Sequence, residues 1–305
     1  ESLMLSPTHK QSSMALYRRL FILSLILAGI FTMLYASSIN INRQSRVRKR
    51  VRSAKSTTHR GKQTKWQFGS EEDFKSVKET VWPGLERLII VPGHAIHTCE
   101  SVEELTKSTD CWFLMPYQVS QTRLFLEHIG VGLQEAADDP KAMLVFSGGQ
   151  TRGVVGQISE AQSYYNAASM IFDFDKQQVV KQRIILEEYA RDSLENLAFS
   201  ICRFHQITGS YPKHVKVIGF PFKARRFERL HWPAIKTFLG GGLVVQFEYK
   251  SVWSGVQKDD QIVDDAYGPF EQDPLGLGAV LNTKRRQRDP FNRPAPYTDC
   301  LIQLK

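Results

Sequence analysis

Ala142-Met143-Leu144-Val145-Phe146-Ser147-Gly148-Gly149-Gln150-Thr151-Arg152 opens with five apolar residues, stops at Ser-Gly-Gly, and is soon followed by Ser159-Glu160-Ala161. A short apolar run bounded by turn residues reads as a buried strand. Ser159 can cap a helix, and Gln162 three residues on completes a capping-box pattern. The stretch is thus strand, tight turn, helix: one βα unit.

The same alternation recurs on both sides. Leu88-Ile89-Ile90-Val91 reads as a strand ending at Pro92-Gly93, and Leu124, Phe125, His128, Ile129 and Leu133 repeat at helical spacing between about Val119 and Ala137. Ile184-Ile185-Leu186 is a third strand, running into Glu187 and Glu188. Asp192 with Glu195 marks a helix start, and that helix carries Leu194, Leu197, Ala198, Ile201 and Phe204 before Gly209. Val215-Lys216-Val217-Ile218 is a fourth strand, an amphipathic helix spans about Ala224 to Phe238, and Leu243 to Phe247 is a fifth strand. The fold class is therefore α/β with a mainly parallel sheet of about five strands, over residues 81–250.

Right-handed crossovers put the carboxyl ends of parallel strands on one edge, where open sheets bind ligands. Gly93 and His94, Ser147 to Arg152, Glu187 and Glu188, and Phe220 to Arg226 are thereby brought to one crevice. Gly148 and Gly149 let backbone N–H groups approach an anion, which Arg152 clamps while Lys223, Arg225 and Arg226 arrive from the opposite loop. One of Arg225 and Arg226 is expected to be an exposed residue of a first helical turn. The spacing matches neither a Gly-x-Gly-x-x-Gly dinucleotide fingerprint nor a P-loop. Glu160, Glu187 and Glu188 are candidates for proton transfer or for holding a divalent cation. Glu160 also suits a helix N-terminus, and adjacent strand-end residues point to opposite faces, so at most one of Glu187 and Glu188 enters the site. His94 is a candidate general base or a polar turn residue. Asn196 is a candidate ligand contact or part of the helix start.

Outside this domain the charge is uneven. Of 40 basic and 31 acidic residues, 13 and 1 lie in residues 1–65, leaving 27 and 30 in the rest, a net charge of −3 against +9 for the whole chain. A nucleic-acid-binding domain carries its basic charge on the domain itself, so that class of partner is not expected. After a short tail over residues 1–19, residues 20–42 contain no charged side chain and begin with a long apolar run, Leu20 to Ala36. That is enough for one transmembrane helix, and it exceeds the ~7–15 residues of a signal-peptide core. The basic linker, residues 43–80, fits anionic membrane lipid or a solvated spacer. Counting basic residues near the span, taken literally, places the large domain in the cytosol, but the sequence leaves the side of the membrane open. Four cysteines do not make a disulfide scaffold; Cys99 and Cys111 are close enough to bridge, and four free thiols is the default expectation. Residues 251–305 read as an irregular extension with a basic knot at Lys284-Arg285-Arg286-Gln287-Arg288.

Val91-Pro92-Gly93-His94-Ala95, Phe146 to Arg152, Ser159-Glu160-Ala161, the strand ending in Glu before Ser193-x-x-Asn196, and the late strand leading to an Arg-rich helix together resemble the domain of unknown function 218 family. These are the SanA, ElyC and YdcF-like proteins, and the likeness covers roughly residues 85–250, closest to a eukaryotic, fungal membrane-anchored branch. It implies a Rossmann-like three-layer domain preceded by one transmembrane helix, a link to envelope or lipid-carrier metabolism, and ligands such as S-adenosylmethionine. Lys223-Ala224-Arg225-Arg226 stands where bacterial members commonly show His-x-x-Arg. The expectation is a single-pass endomembrane protein, of the Golgi or endoplasmic reticulum, binding a phosphorylated or nucleotide-like ligand. Its enzyme form is a hydrolase or transferase on lipid-linked or phosphate-ester intermediates. A non-catalytic ligand sensor or scaffold and an S-adenosylmethionine-binding protein stand beside it.

Overall fold

The computed structural model describes residues 82–172, 178–240, 243–253 and 265–302. In chain order these form β1 (Arg87–Pro92), a small hairpin of β2 (Ile96–His97) and β3 (Trp112–Phe113) enclosing α1 (Val102–Lys107), then α2 (Thr122–Asp138) and β4 (Ala142–Ser147). There follow α3 (Glu160–Ile171), α4 (Gln178–Lys181), β5 (Ile184–Glu187), α5 (Ser193–Thr208) and β6 (His214–Gly219). A helical run of α6 (Pro221–Arg226), a π-helical turn (Phe227–His231) and α7 (Trp232–Leu239) leads to β7 (Gln246–Ser251). Two helices, α8 (Tyr267–Gln272) and α9 (Ala279–Gln287), complete the described chain.

The main sheet has the order β5-β4-β1-β6-β7, with every pairing parallel. Counted along its own strands this is 3-2-1-4-5, a doubly wound sheet whose direction reverses between β1 and β6, in line with a Rossmann-like arrangement. Strand alternation builds two cores. Leu88 and Ile90 of β1 face α5 through Leu194, Leu197, Ile201 and Phe204, whereas Ile89 and Val91 face α2 and α3 through Phe125, Ile129, Leu133 and Tyr164. The caps follow the sequence: the Ser159 side chain accepts from the Gln162 N–H, that of Asp192 accepts from the Glu195 N–H, and Gly209 closes α5 in a left-handed conformation (φ 75°).

Three expectations are corrected. The fifth strand is Gln246–Ser251, not Leu243–Phe247. It is an edge strand, so Phe247 and Tyr249 alternate with polar residues toward the core while Val244 is exposed. The four cysteines are not free thiols: Cys99 pairs with Cys111, and Cys202 with Cys300. The second bridge spans 98 residues and depends on the C-terminal segment folding back against α5, which no spacing rule reveals. That segment is also not irregular throughout: α8 and α9 insert Phe270 and Leu281, and the chain after them inserts Tyr297, Cys300 and Ile302, into the core on the α5 face.

The apolar segment 20–42 and the basic linker 43–80 lie outside the described residues. Among the described residues, no helix is long and apolar enough to cross a membrane.

Candidate functional site

At the carboxyl edge of the sheet, over the reversal between β1 and β6, lies a crevice of about 730 Å³. Gly93, His94, Arg152, Glu160, Asn196, Lys223 and Arg226 line it; Ser147, Gly148, Gly149, Glu187 and Glu188 do not.

The residues that stay beneath the crevice form its support. Glu187 is fully buried at the end of β5. Its Oε2 lies 2.7 Å from Ser147 Oγ, and its Oε1 accepts from the Tyr189 N–H at 2.8 Å and the Tyr297 hydroxyl at 3.1 Å. Burial outweighs these hydrogen bonds and pushes the Glu187 carboxyl up to about 7. Ser147 Oγ also lies 2.9 Å from Asn196 Oδ1. Ser147 Oγ, which donates to Glu187 Oε2, thus ties the Asn196 side chain to Glu187 through the amide oxygen and leaves the Asn196 Nδ2 group turned elsewhere. Among the described residues that Nδ2 has no acceptor, and Asn196 lines the crevice. Glu188 accepts from Ser159 Oγ at 2.7 Å, behind the α3 cap. So neither strand-end glutamate faces a ligand, and Glu187 orients Asn196 instead.

The glycines act by close packing rather than by cradling an anion. The N–H groups of Gly93, Gly148 and Gly149 donate to the carbonyls of Ser147, Glu187 and Ala190 at 2.7, 2.9 and 2.7 Å. A Cβ on Gly93 would stand 2.5 Å from Glu160 Cβ, one on Gly148 (φ +155°) 2.8 Å from the same atom, and one on Gly149 2.8 Å from Ala190 O. Their absence lets Glu160 enter the crevice at the head of α3, where its Oε1 accepts from Thr151 Oγ1 at 2.5 Å.

His94 packs among the rings of Phe125, Phe220 and His128, at centroid distances of 5.6, 5.0 and 5.8 Å. Its Nδ1 lies 3.3 Å from Lys223 Nζ, so the ammonium donates to that nitrogen and the ring proton sits on Nε2, which has no partner among the described residues. Burial first, then the charges of Lys223 and His128, hold its pKa well below the usual histidine value. The expected general base is thus a neutral ring whose lone pair is already taken, and its free group is a donor. Carboxylates do not gather around a metal either: among the described residues no group of three or more His, Cys, Asp or Glu is placed to hold one.

The cations converge. Arg226 is 5% exposed, while Arg225 turns outward over the Tyr267 ring at 4.2 Å. Among the described residues no oxygen accepts from the Arg152 guanidinium, which stands 5.8 Å over the Phe113 ring. Burial lowers its pKa, Glu160 opposes that shift, and the charge of Arg288 adds to it. Lys284 and Arg288 of the C-terminal segment also reach the crevice. Their basic knot was visible in the sequence, but its position depends on a buried ion pair: Arg285 Nε lies 2.6 Å from Asp192 Oδ2 and 3.3 Å from Glu195 Oε1.

No family model and no solved structure matches the chain. It is 30% identical over 270 residues to "Uncharacterized protein YOR238W" of Saccharomyces cerevisiae (strain ATCC 204508 / S288c), an alignment covering 70% of this chain and 87% of the yeast protein. The chain belongs to the family of that yeast protein.

Proposed function

We propose that the crevice binds a phosphorylated or nucleotide-like small molecule through Arg152, Lys223 and Arg226, joined by Lys284 and Arg288. The observation that carries this reading is Arg152, a guanidinium lining a crevice with no acceptor among the described residues and with a second guanidinium close enough to depress its pKa. Like charges gathered this way are costly unless an anion joins them, and each charge-assisted hydrogen bond then contributes about 1.5–3 kcal/mol. Composition does not explain the gathering, because residues 66–305 carry a net charge of −3. Phe222, Tyr117 and Tyr249 add aromatic area for a flat or apolar portion of the ligand.

A hydrolase or transferase on a phosphate ester is the enzyme form of this proposal. Membership in the domain of unknown function 218 family, with a Rossmann-like domain behind a membrane helix, is supported by the convergence of Ser147, Glu160, Glu187, Asn196 and Arg226 at one sheet edge. The two disulfides favour an oxidising compartment, so the domain is proposed to sit on the lumenal side of an endomembrane, against the count of flanking basic residues. Protease protection of sealed vesicles checks that side: cleavage of the domain without detergent would sink it.

The ligand test is thermal melting of the full chain against inorganic phosphate, pyrophosphate, nucleotides, sugar nucleotides, a short polyprenyl phosphate and S-adenosylmethionine. A phosphorylated compound should raise the Tm by several degrees, and Arg152→Ala should erase the rise. No shift with any phosphorylated compound would sink the proposal; a shift by S-adenosylmethionine alone, unaffected by Arg152→Ala, would favour the methyl-donor reading.

A further inference from the structure

Ser193 is the first residue of α5, directly after the Asp192 cap, and it lines the crevice. Its Oγ lies 2.8 Å from Nε2 of His231. His231 is fully buried, and its Nδ1 has no hydrogen-bond partner among the described residues, so Ser193 is the ring's polar contact. The ring is fixed by packing, edge-on to Phe227 and Phe270 at centroid distances of 5.2 and 4.5 Å. It closes the π-helical turn Phe227–His231, a local widening of the helix that recurs at functional sites. Stability alone gives no account of burying a half-satisfied imidazole on an irregular turn. A serine hydroxyl within hydrogen-bond reach of a neutral imidazole does fit an activated nucleophile and its base.

We propose that Ser193 is the nucleophile and His231 the general base of phosphoryl transfer from a phosphate monoester held in the crevice. This rests on the phosphate-binding reading above. Ser193 Oγ attacks phosphorus while its proton passes to His231 Nε2. The bond from phosphorus to the ester oxygen breaks, and that oxygen takes the proton from the imidazolium and leaves as the alcohol. Water then attacks the phosphoserine, giving its proton to the same Nε2; inorganic phosphate leaves, and Ser193 regains the proton.

The surroundings suit that sequence. Arg226 lines the crevice and its charge acts on both His94 and His231, so an anion held there stands beside the Ser193–His231 pair. Burial first, then Arg226 and Arg285, keep the imidazole neutral, which leaves a lone pair for the serine proton. The phosphate's negative charge offsets those guanidiniums when the imidazolium forms. Glu160, His94, Lys223 and Asp192 are among the other groups lining the crevice that titrate or carry charge, and none of them is given the proton-transfer role.

The test uses the full chain with p-nitrophenyl phosphate, acid quench and peptide mass spectrometry. Phosphoserine should accumulate at Ser193. Ser193→Ala should abolish the label and lower turnover at least 10³-fold, and His231→Gln should lower turnover 10²- to 10⁴-fold, with the thermal shift by inorganic phosphate retained in Ser193→Ala. Turnover unchanged in Ser193→Ala, a label elsewhere, or no turnover at all overturns the inference, and Ser193→Ala decides the matter if His231→Gln fails to fold. If phosphate still raises the Tm through Arg152 while no phosphoserine forms, this inference falls and the binding reading stands. If phosphate gives no shift either, both fall.

Discussion

The floor of the crevice and its rim are built on opposite terms. In the floor, Ser147, Glu187 and Tyr297 form a closed set of hydrogen bonds, and the glycine N–H groups are all spent on neighbouring carbonyls. At the rim, the Arg152 guanidinium, the Asn196 Nδ2 group and the His94 Nε2 proton face the cavity or its wall with no partner among the described residues. A satisfied buried group has nothing left to offer a ligand, whereas an unsatisfied one is a cost that a ligand can remove. Changes in the floor should therefore act on folding, and changes at the rim on binding.

The largest effect is expected where the C-terminal wall is pinned. Arg285→Ala leaves Asp192 and Glu195 buried beside an empty site, and breaking such a pair costs about 3–5 kcal/mol. Urea denaturation should show that loss; a change under about 1 kcal/mol would mean that α9 is held by apolar contacts alone.

Glu187→Gln comes next and has a sign that depends on pH. The native carboxyl titrates near 7 against an ordinary value of 4.5, so the folded state binds more protons between them and stability falls as pH rises through that window. At about 1.36 kcal/mol per unit the cost above pH 7 reaches about 3 kcal/mol, and it is absent below pH 4.5. Glutamine imitates the protonated carboxyl, so the variant should be the more stable protein at pH 8 and match wild type near pH 4.5. Parallel stability curves for the two proteins would show that Glu187 is ionised in the native state.

Gly93→Ala tests the packing at the same floor. Its Cβ would fall 2.5 Å from Glu160 Cβ, and overpacking of this kind costs about 1–3 kcal/mol. An unchanged melting temperature would mean that Glu160 moves aside freely, and would weaken its place in the crevice.

How far the sequence could foretell this division follows from what each feature depends on. The βαβ order, four of the five strands and the caps at Ser159 and Asp192 follow from local patterns, and the structure keeps them. The convergence of Gly93, His94, Arg152, Glu160, Asn196, Lys223 and Arg226 follows from parallel topology. Whether a polar group is spent or free does not. Gly148 reads as an anion cradle because glycine permits it, yet its N–H donates to Glu187 O across the sheet. The bridge from Cys202 to Cys300, the reach of Lys284 and Arg288, and the meeting of Ser193 with His231 all depend on packing between distant segments. The π-helical turn that presents His231 interrupts a pattern that reads as an ordinary amphipathic helix.

The smallest effect on stability is expected at the rim, and it bears most directly on the contrast. Arg152→Ala removes no hydrogen bond or ion pair among the described residues and relieves repulsion with Arg288, at the cost of a ring contact with Phe113 and some attraction to Glu160. These opposing terms should leave the ligand-free protein within about 0.5 kcal/mol of wild type, as for surface positions without special contacts. Urea denaturation without ligand, at low and at high salt, is the measurement. A slight gain in stability at low salt that fades at high salt would identify the relieved repulsion, since screening weakens interactions between accessible charges. A loss of 2 kcal/mol or more, on the scale expected when a partner of a buried polar group is removed, would mean that Arg152 is part of the floor and that the rim ends short of it.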